Sequence, residues 1–370
     1  MFNNVYKNKK VLITGNTGFK GAWLSLWLKK LGAEVIGLAN SIPTEPSLFK
    51  TANLESHYLH YFKDITDLEA IVNVIDEHKP DFVFHLAAQA IVSESYKKPL
   101  ETIMTNVNGT ATVLESLRLT NNKTIAVIIT SDKCYENIEW GWGYKETDHI
   151  GGKDIYSGSK GAAEIIFHAY YESFFKEENC NIKLSSARAG NVIGGGDWAK
   201  DRIIVDCIKS WSQNKKVEIR SPHATRPWQH VLEPLSGYLH LGAELYSNNK
   251  LHGESFNFGP KSEKNKTVQN LLDDLGIFWG YSDTNPGYII KEIATFHEAG
   301  LLKLNCDKAL FHLDWEATLS YIECMNFVGS WYKTFYQNSI KSNQCMADFT
   351  ISQIIEYENI AATNGLIWTK

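Results

Sequence analysis

Tyr156 and Lys160 stand four apart at the opening of a helical pattern, and Ser131-Asp132-Lys133 close an apolar run that begins at Ile125. One helical turn separates the Tyr from the Lys, so both side chains leave the same face. An ammonium beside a phenol favours the phenolate, which lowers the Tyr pKa and makes it a usable base for a sugar or alcohol hydroxyl. The hydroxyl, acid and amine at the strand end add further groups for moving protons. Tyr-x-x-x-Lys arises by chance in many chains, so the pair gains meaning only from the elements that hold it.

Those elements begin with a short buried strand, Lys9 to Thr14, running into Gly15-Asn16-Thr17-Gly18-Phe19-Lys20-Gly21 and then a helical pattern through Ala22, Trp23, Leu26, Trp27 and Leu31. Strand, Gly-x-x-Gly-x-x-Gly, helix is the order of a dinucleotide site: a tight turn, close approach to a pyrophosphate, and phosphates at a helix N-terminus. A second strand, Ala33 to Leu38, leads to Asn40 and Ser41, where NAD sites usually carry an acid. These neutral groups can still bond a ribose, and with no Arg nearby for a 2′-phosphate the reading is NAD rather than NADP. A third strand, Tyr61 to Asp64, brings up Asp64 and Ile65. Asp64 either bonds an adenine edge or gives way to a helix cap from Thr66 or Asp67. A fourth, Phe82 to Gln89, ends in Leu86-Ala87-Ala88, small enough to leave room for a ligand, while His85 inside it reads as a satisfied core histidine. The helix Met104 to Leu119 carries Asn106, and Thr124 to Thr130 is the fifth strand. Alternation of this kind predicts an α/β fold with a Rossmann-like, doubly wound parallel sheet.

After an aromatic, Gly-rich loop over 136–155 come a helix from Tyr156 to about Phe175 and a strand from Ile182 to Ala187. The run Gly194-Gly195-Gly196 follows, read as a substrate-side loop. Beyond about residue 198 the alternation weakens. Arg202, Arg220 and Arg226, close to Trp228 and His230, suit a diphosphate and a base, since Arg forks bind phosphate bidentately and aromatic rings stack. The expected organisation is a dinucleotide-binding domain over 1–187, with a returning segment near 228–255, and a smaller mixed α/β substrate domain over 188–370. The tail, Met346 to Lys370, is expected to be one helix packed on the surface.

The 370 residues allow one large α/β unit or two domains, and the 44% hydrophobic fraction suits a globular protein. A net charge of −5 with scattered Lys and Arg argues against nucleic-acid or membrane-surface binding. The first apolar run is cut at Gly15, too short for a signal segment or a span, which points to the cytoplasm. Six well-separated Cys, without C-x-x-C or companion His, predict reduced thiols and no metal site.

The glycine turn, the Leu86-Ala87-Ala88 strand end and the Tyr156/Lys160 pair together resemble the extended short-chain dehydrogenase/reductase superfamily, over nearly the whole chain. Ser131-Asp132-Lys133 falls where the nucleotide-sugar 4,6-dehydratases of that superfamily carry an additional acid and base. Most of them have Thr-Asp-Glu; Lys in place of Glu is similar to the CDP-glucose 4,6-dehydratases. The segments 14–21, 132–137, 190–198 and 220–230 carry the same likeness. What the resemblance implies is a lyase with bound NAD, converting CDP-glucose to its 4-keto-6-deoxy derivative for deoxysugar and lipopolysaccharide synthesis. Tyr156 would take the 4-hydroxyl proton with Ser131 bonded to the same oxygen. Lys133, when neutral, would remove the C5 proton, and Asp132, when protonated, would serve the departing 6-hydroxyl. The implied cofactor contacts are Gly15, Asn16, Thr17, Gly18, Phe19, Gly21, Asn40, Ser41, Asp64, Ile65, Leu86, Ala87, Ala88, Asn106, Tyr156 and Lys160; the implied substrate contacts are Gln89, Asn191, Arg202, Arg220, Arg226, Trp228 and His230. A homodimer or homotetramer is expected through the helices at Met104 and Tyr156. A nucleotide-sugar 4-epimerase, a dehydratase of another nucleotide sugar, a uronate decarboxylase and an NAD-dependent sensor remain as alternatives. The cytosine preference rests on the resemblance alone.

Overall fold

Runs rich in Val, Ile, Leu and Phe become strands that pair in parallel, buried on both faces except at the sheet edge over Leu59–Phe62. In the computed structural model, which describes residues 1–177, 179–260, 266–291, 302–338 and 346–370, seven of them form one sheet. These are β1 (Lys10–Thr14), β2 (Glu34–Ala39), β3 (Leu59–Phe62), β4 (Phe82–His85), β5 (Thr124–Ile129), β6 (Ile182–Ala189) and β7 (Ser255–Phe258). Their order is β7-β6-β5-β4-β1-β2-β3, and every pairing in the sheet is parallel. The two-residue pleat divides each strand between two cores. Val11 and Ile13 enter one, Leu12 the other; β5 likewise parts Ile125, Val127 and Ile129 from Ala126 and Ile128.

Helix α1 (Phe19–Lys30) covers one face of the sheet, while α2 (Leu68–His78), α3 (Gly109–Thr120) and α4 (Ile155–Tyr170) cover the other. The fold is therefore the doubly wound α/β arrangement expected. Strand order reverses between β4 and β1, and open sheets of this kind hold their ligands in the crevice at such a switch point. Beyond β6 lie α5 (Ile203–Trp211) and α6 (Leu232–Ser247), the latter packed on β5 and β6. Smaller ladders join Val192–Ile193 to Gln229–His230, Val217–Ile219 to Tyr288–Ile290, and Thr225–Arg226 to Lys266–Thr267.

The structure departs from the sequence expectations at several elements: the third strand lies at Leu59–Phe62 rather than Tyr61 to Asp64, and the fourth stops at His85 rather than Gln89. The helix expected over Met104–Leu119 opens as a five-residue π turn, Met104–Asn108, before α3 begins at Gly109. The tail helix, Met346–Thr363, is not a surface attachment: Ile354, Tyr357, Ala361 and Trp368 are fully buried against α1, and Trp27 Nε1 donates to Glu358 Oε1 at 2.9 Å. Its apolar positions complete the core on the α1 side. The glycine run at 194–196 is a packing junction rather than an open loop. Gly195 touches the Trp331 ring so closely that a Cβ would fall 2.0 Å from it, and its carbonyl accepts from Trp23 Nε1 at 2.8 Å.

Candidate active site

Two glycines fix the turn between β1 and α1. Gly15 takes φ +75°, and a Cβ there would lie 2.8 Å from the Ala87 backbone; one on Gly21 would lie 2.2 Å from the Gly15 carbonyl oxygen. The turn thus packs against the end of β4 and the helix packs against the turn. No side chain caps the first turn of α1, leaving its N–H groups for an anion. Thr17 Oγ1 donates to the Ser41 carbonyl at 2.7 Å, Ser41 Oγ to Asn40 Oδ1 at 2.9 Å, and Asn40 Nδ2 to Asp64 Oδ2 at 3.0 Å. A polar rim therefore runs from the glycine turn across the ends of β2 and β3. Asn16 is buried beside it with Oδ1 unpartnered. An open helix end, a Cβ-free turn and this rim together fit a dinucleotide.

Asp64 accepts from the Thr66 backbone N–H at 2.9 Å and from its hydroxyl, while Asp67 caps α2 through Ala70 N. Burial pushes the Asp64 carboxyl up, but the bonds from Thr66 and Asn40 bring it below the usual value. Both open readings of this stretch thus have a foothold: the cap belongs to Asp67, and Asp64 stays on the rim. Ile65 turns its side chain into the core against Gly109. His85 is bonded at both ring nitrogens, to Thr14 Oγ1 at 2.7 Å and Thr110 Oγ1 at 3.2 Å, and burial pulls its pKa down to about 3.

Ser131, Asp132 and Lys133 make one short turn at the end of β5. Ser131 Oγ donates to Asp132 Oδ1 at 2.8 Å and accepts from Lys133 N at 3.2 Å. Asp132 is buried, with Gly190 against its carboxylate; Lys133 is half-buried and its amine makes no hydrogen bond or ion pair with a described residue. Across from them Asp154 caps α4 by accepting from Ser157 N and Oγ, which sets Tyr156 and Lys160 on the buried face. Tyr156 departs from the expected direction: burial and the Asp132 charge push it up to about 12, outweighing the Ser131 hydrogen bond and the Arg202 charge. Burial pulls Lys160 down to about 8, against the opposing pull of Cys134 and Glu164.

Asn106, in the π turn, accepts from Gln89 N at 2.8 Å and donates to Gln89 O and to Ser159 Oγ, and Ser159 in turn bonds the Tyr156 carbonyl. Its amide braces the β4 end against α4. The Gln89 amide is likewise occupied, by the Ile91 backbone and Thr102. Arg202 precedes α5, near enough to Tyr156 to influence its titration, with Nε buried and unpartnered. Asn191 is half-buried just past β6, Arg220 is exposed, and the side chain of Arg226 lies outside the described residues. Trp228 gives its indole N–H to the Lys266 carbonyl at 3.3 Å. His230 does not reach the cleft. It is fully buried between Trp23 and Phe327, and burial pulls its pKa down to about 3. The cationic segment therefore splits, its tail being core.

Sequence reasoning missed two charged groups that interact with Lys160. Glu164 extends the spacing of Tyr156 and Lys160 by one more turn and is paired with Arg188 of β6 at 2.8 Å. Lys20, inside the glycine turn, reaches Tyr238 of α6, its Nζ 3.5 Å from the hydroxyl. A lone Lys breaking the apolar opening of α1 was the available signal for it.

Fold and site define a Rossmann-like α/β protein with a Tyr/Lys pair at the switch-point crevice. A family model described as GDP-mannose 4,6 dehydratase matches residues 12–326. Over 335 residues the chain is 46% identical to the CDP-glucose 4,6-dehydratase of Salmonella typhimurium (strain LT2), spanning 90% of this chain and 92% of that one. The chain belongs to this nucleotide-sugar 4,6-dehydratase family. Among solved structures, an epimerase from Methanothermobacter thermautotrophicus aligns with a TM-score of 0.76 at 23% identity, covering 92% of this chain and 97% of that one. The dTDP-glucose 4,6-dehydratase of Bacillus anthracis, solved with NAD, aligns at 0.73 and 20% identity, covering 88% and 97%. At such identities the likeness is one of fold.

Proposed function

We propose that this chain removes water from CDP-D-glucose to give CDP-4-keto-6-deoxy-D-glucose, with NAD as a tightly held cofactor. The observation that carries the reading is the Ser131-Asp132-Lys133 turn: an acid buried against Tyr156, with an unpaired amine beside it. An epimerase needs the oxidation at C4 but no acid and base for elimination. The cytosine assignment is supported by the relative from Salmonella.

Tyr156 takes the proton of the 4-hydroxyl, and Ser131 holds the same oxygen. The chemistry supplied by bound NAD is hydride acceptance from C4 and hydride return to C6. A ketone at C4 acidifies the C5 proton, which Lys133 removes and later returns. Asp132 protonates the departing 6-hydroxyl. Over one turnover Tyr156 gains the proton that Asp132 loses, so the proton balance leaves as water. The glycine turn and the rim of Asn40, Ser41 and Asp64 would hold the cofactor, and Asn191 and Arg202 line the substrate side.

The same reading places the protein in the cytoplasm, in deoxysugar supply for lipopolysaccharide or a similar polymer. The five described cysteines are free, and no helix among the described residues is long and apolar enough to cross a membrane. Pairing of two copies through neighbouring helices is supported by exposed Tyr96, Leu100, Met104, Ile165 and Phe174. Incubation of the purified protein with CDP-glucose is the test. The expected product is the 4-keto-6-deoxy sugar, without net accumulation of NADH. Formation of the C4 epimer alone, or no turnover with CDP-, dTDP-, UDP- or GDP-sugars, overturns the reading.

A further inference from the structure

Lys20 is a half-buried cation whose ammonium has no counter-ion among the described residues. It lies on the first turn of α1, makes no ion pair with a described residue, and has as its one polar contact the Tyr238 hydroxyl at 3.5 Å, with the ammonium 5.8 Å from that ring's centre. The charged groups that bear on it are Arg202, Asp132 and Lys160. Lys20 itself faces one carboxylate, Asp132, while Arg202 also bears on Asp197 and Lys160 on Glu164, which is already paired with Arg188; the cluster keeps a net positive charge when all are ionised. Burying like charges together opposes folding. The arrangement makes sense when an anion completes it, and Arg202 Nε, buried and unpartnered, marks a second open donor.

The direction Lys20 takes distinguishes two possible anions. The cofactor rim runs from the glycine turn toward β2 and β3, through Thr17, Ser41, Asn40 and Asp64. Lys20 goes the other way: Asp132 follows β5, Arg202 follows β6, and Tyr238 is on α6, which packs on β5 and β6, while Lys160, an implied cofactor contact, stands on α4 between the two halves. The side chain crosses the switch point from the cofactor turn to the substrate half of the crevice.

We propose that Lys20, together with Arg202, binds the diphosphate of the nucleotide-sugar substrate, making the glycine turn part of the substrate site as well as the cofactor site. A nucleotide-sugar diphosphate is an anion of the kind that this net positive charge accommodates. Burial, then Arg202 and Lys160, pull the Lys20 pKa down to about 8 against Asp132, a strain that a bound diphosphate relieves. The identity of the substrate class rests on the functional reading above.

Titration of the NAD-loaded protein with CDP, CMP and ADP-ribose tests this, ADP-ribose being titrated into cofactor-free protein. Lys20→Met should weaken CDP about 10- to 100-fold, the range of one hydrogen bond to a charged group. The ratio of CDP to CMP affinity should collapse while ADP-ribose binding stays within about twofold. Lys20→Arg should recover most of the loss, which separates lost charge from a damaged fold. Unchanged CDP binding overturns the proposal, and so does a loss confined to ADP-ribose, which would assign Lys20 to the cofactor. These measurements involve no turnover. Failure to dehydrate any nucleotide sugar would sink the functional reading and leave this one standing.

Discussion

Two cations lie near the catalytic helix, Arg188 buried and Lys20 half-buried, and they are housed in opposite ways. Arg188 is closed: it pairs with Glu164 at 2.8 Å, donates to the Tyr135 hydroxyl at 2.7 Å and lies over that ring. Glu164 is closed in turn. Burial raises its pKa, but Arg188, Thr130 and Ser186 more than offset that and hold it ionised. Lys20 is open, facing Arg202 and Lys160 with Asp132 as the single opposing charge. Each region leaves one arginine Nε without a partner, yet only the Arg188 side sets its charge in an ion pair. The closed pair ties α4 to β6 and so sets the height of Lys160, one turn from Glu164. The open cluster has spare charge directed into the crevice, which is what a ligand-binding region requires and a structural one avoids.

Substitutions on the two sides should then fail differently. On the open side the largest effect is expected from Lys133→Ala, with water loss slowed about 10²- to 10⁴-fold as for a missing general base. Oxidation at C4 should survive, so that mixing with substrate leaves the bound cofactor reduced, read as lasting absorbance at the NADH wavelength. Normal turnover would remove Lys133 from the mechanism. On the closed side Arg188→Met should lower stability by about 3–5 kcal/mol, because Glu164 is left buried without its partner. Urea unfolding would measure it. The double variant Glu164→Met with Arg188→Met should regain most of that stability, since an apolar pair of similar volume carries no desolvation penalty. If the double variant is as unstable as the single one, the network is doing more than neutralising charge.

What the sequence made legible follows the same division. The alternation of strands and helices, the glycine turn and the placement of Tyr156 and Lys160 on one buried helix face were readable because each depends on local spacing: a period of two, a period of 3.6, or a turn of fixed length. His230 was misread because a short Arg- and Trp-rich segment gives no period, and its burial depends on Trp23 and Phe327, some 200 and 100 positions away. The tail was misread for a like reason, since the α1 face it covers is fixed by tertiary packing alone. The π turn at Met104–Asn108 is set by the Asn106 amide bracing Gln89 and Ser159, contacts between three separate elements. The direction of the Tyr156 shift escaped because Lys160 is adjacent in sequence pattern, while burial, the main cause, and Asp132 after it come from tertiary packing.

The smallest effect tests the comparison most directly. Lys20 and Lys160 each have a pKa of about 8 in the folded protein against an ordinary 10.5, chiefly through burial, with Arg202, Asp132 and Lys160 acting on Lys20, and Cys134 and Glu164 on Lys160. Between those values the unfolded chain binds more protons than the folded one, so stability should rise as pH climbs from about 8 to 10.5 and be lowest, from these groups, below about 8. Lys20→Met deletes one of the two contributions. At pH 7 it should make the protein more stable by about 1–3 kcal/mol, less than the full shift because the neighbouring lysine's titration is coupled to it. It should also flatten the rise in stability above pH 8 by roughly half. Urea unfolding at several pH values between 7 and 10 would show both changes. A less stable Lys20→Met protein at pH 7, with the alkaline rise intact, would mean that Lys20 is compensated after all, and the contrast between the open and closed cations would be lost.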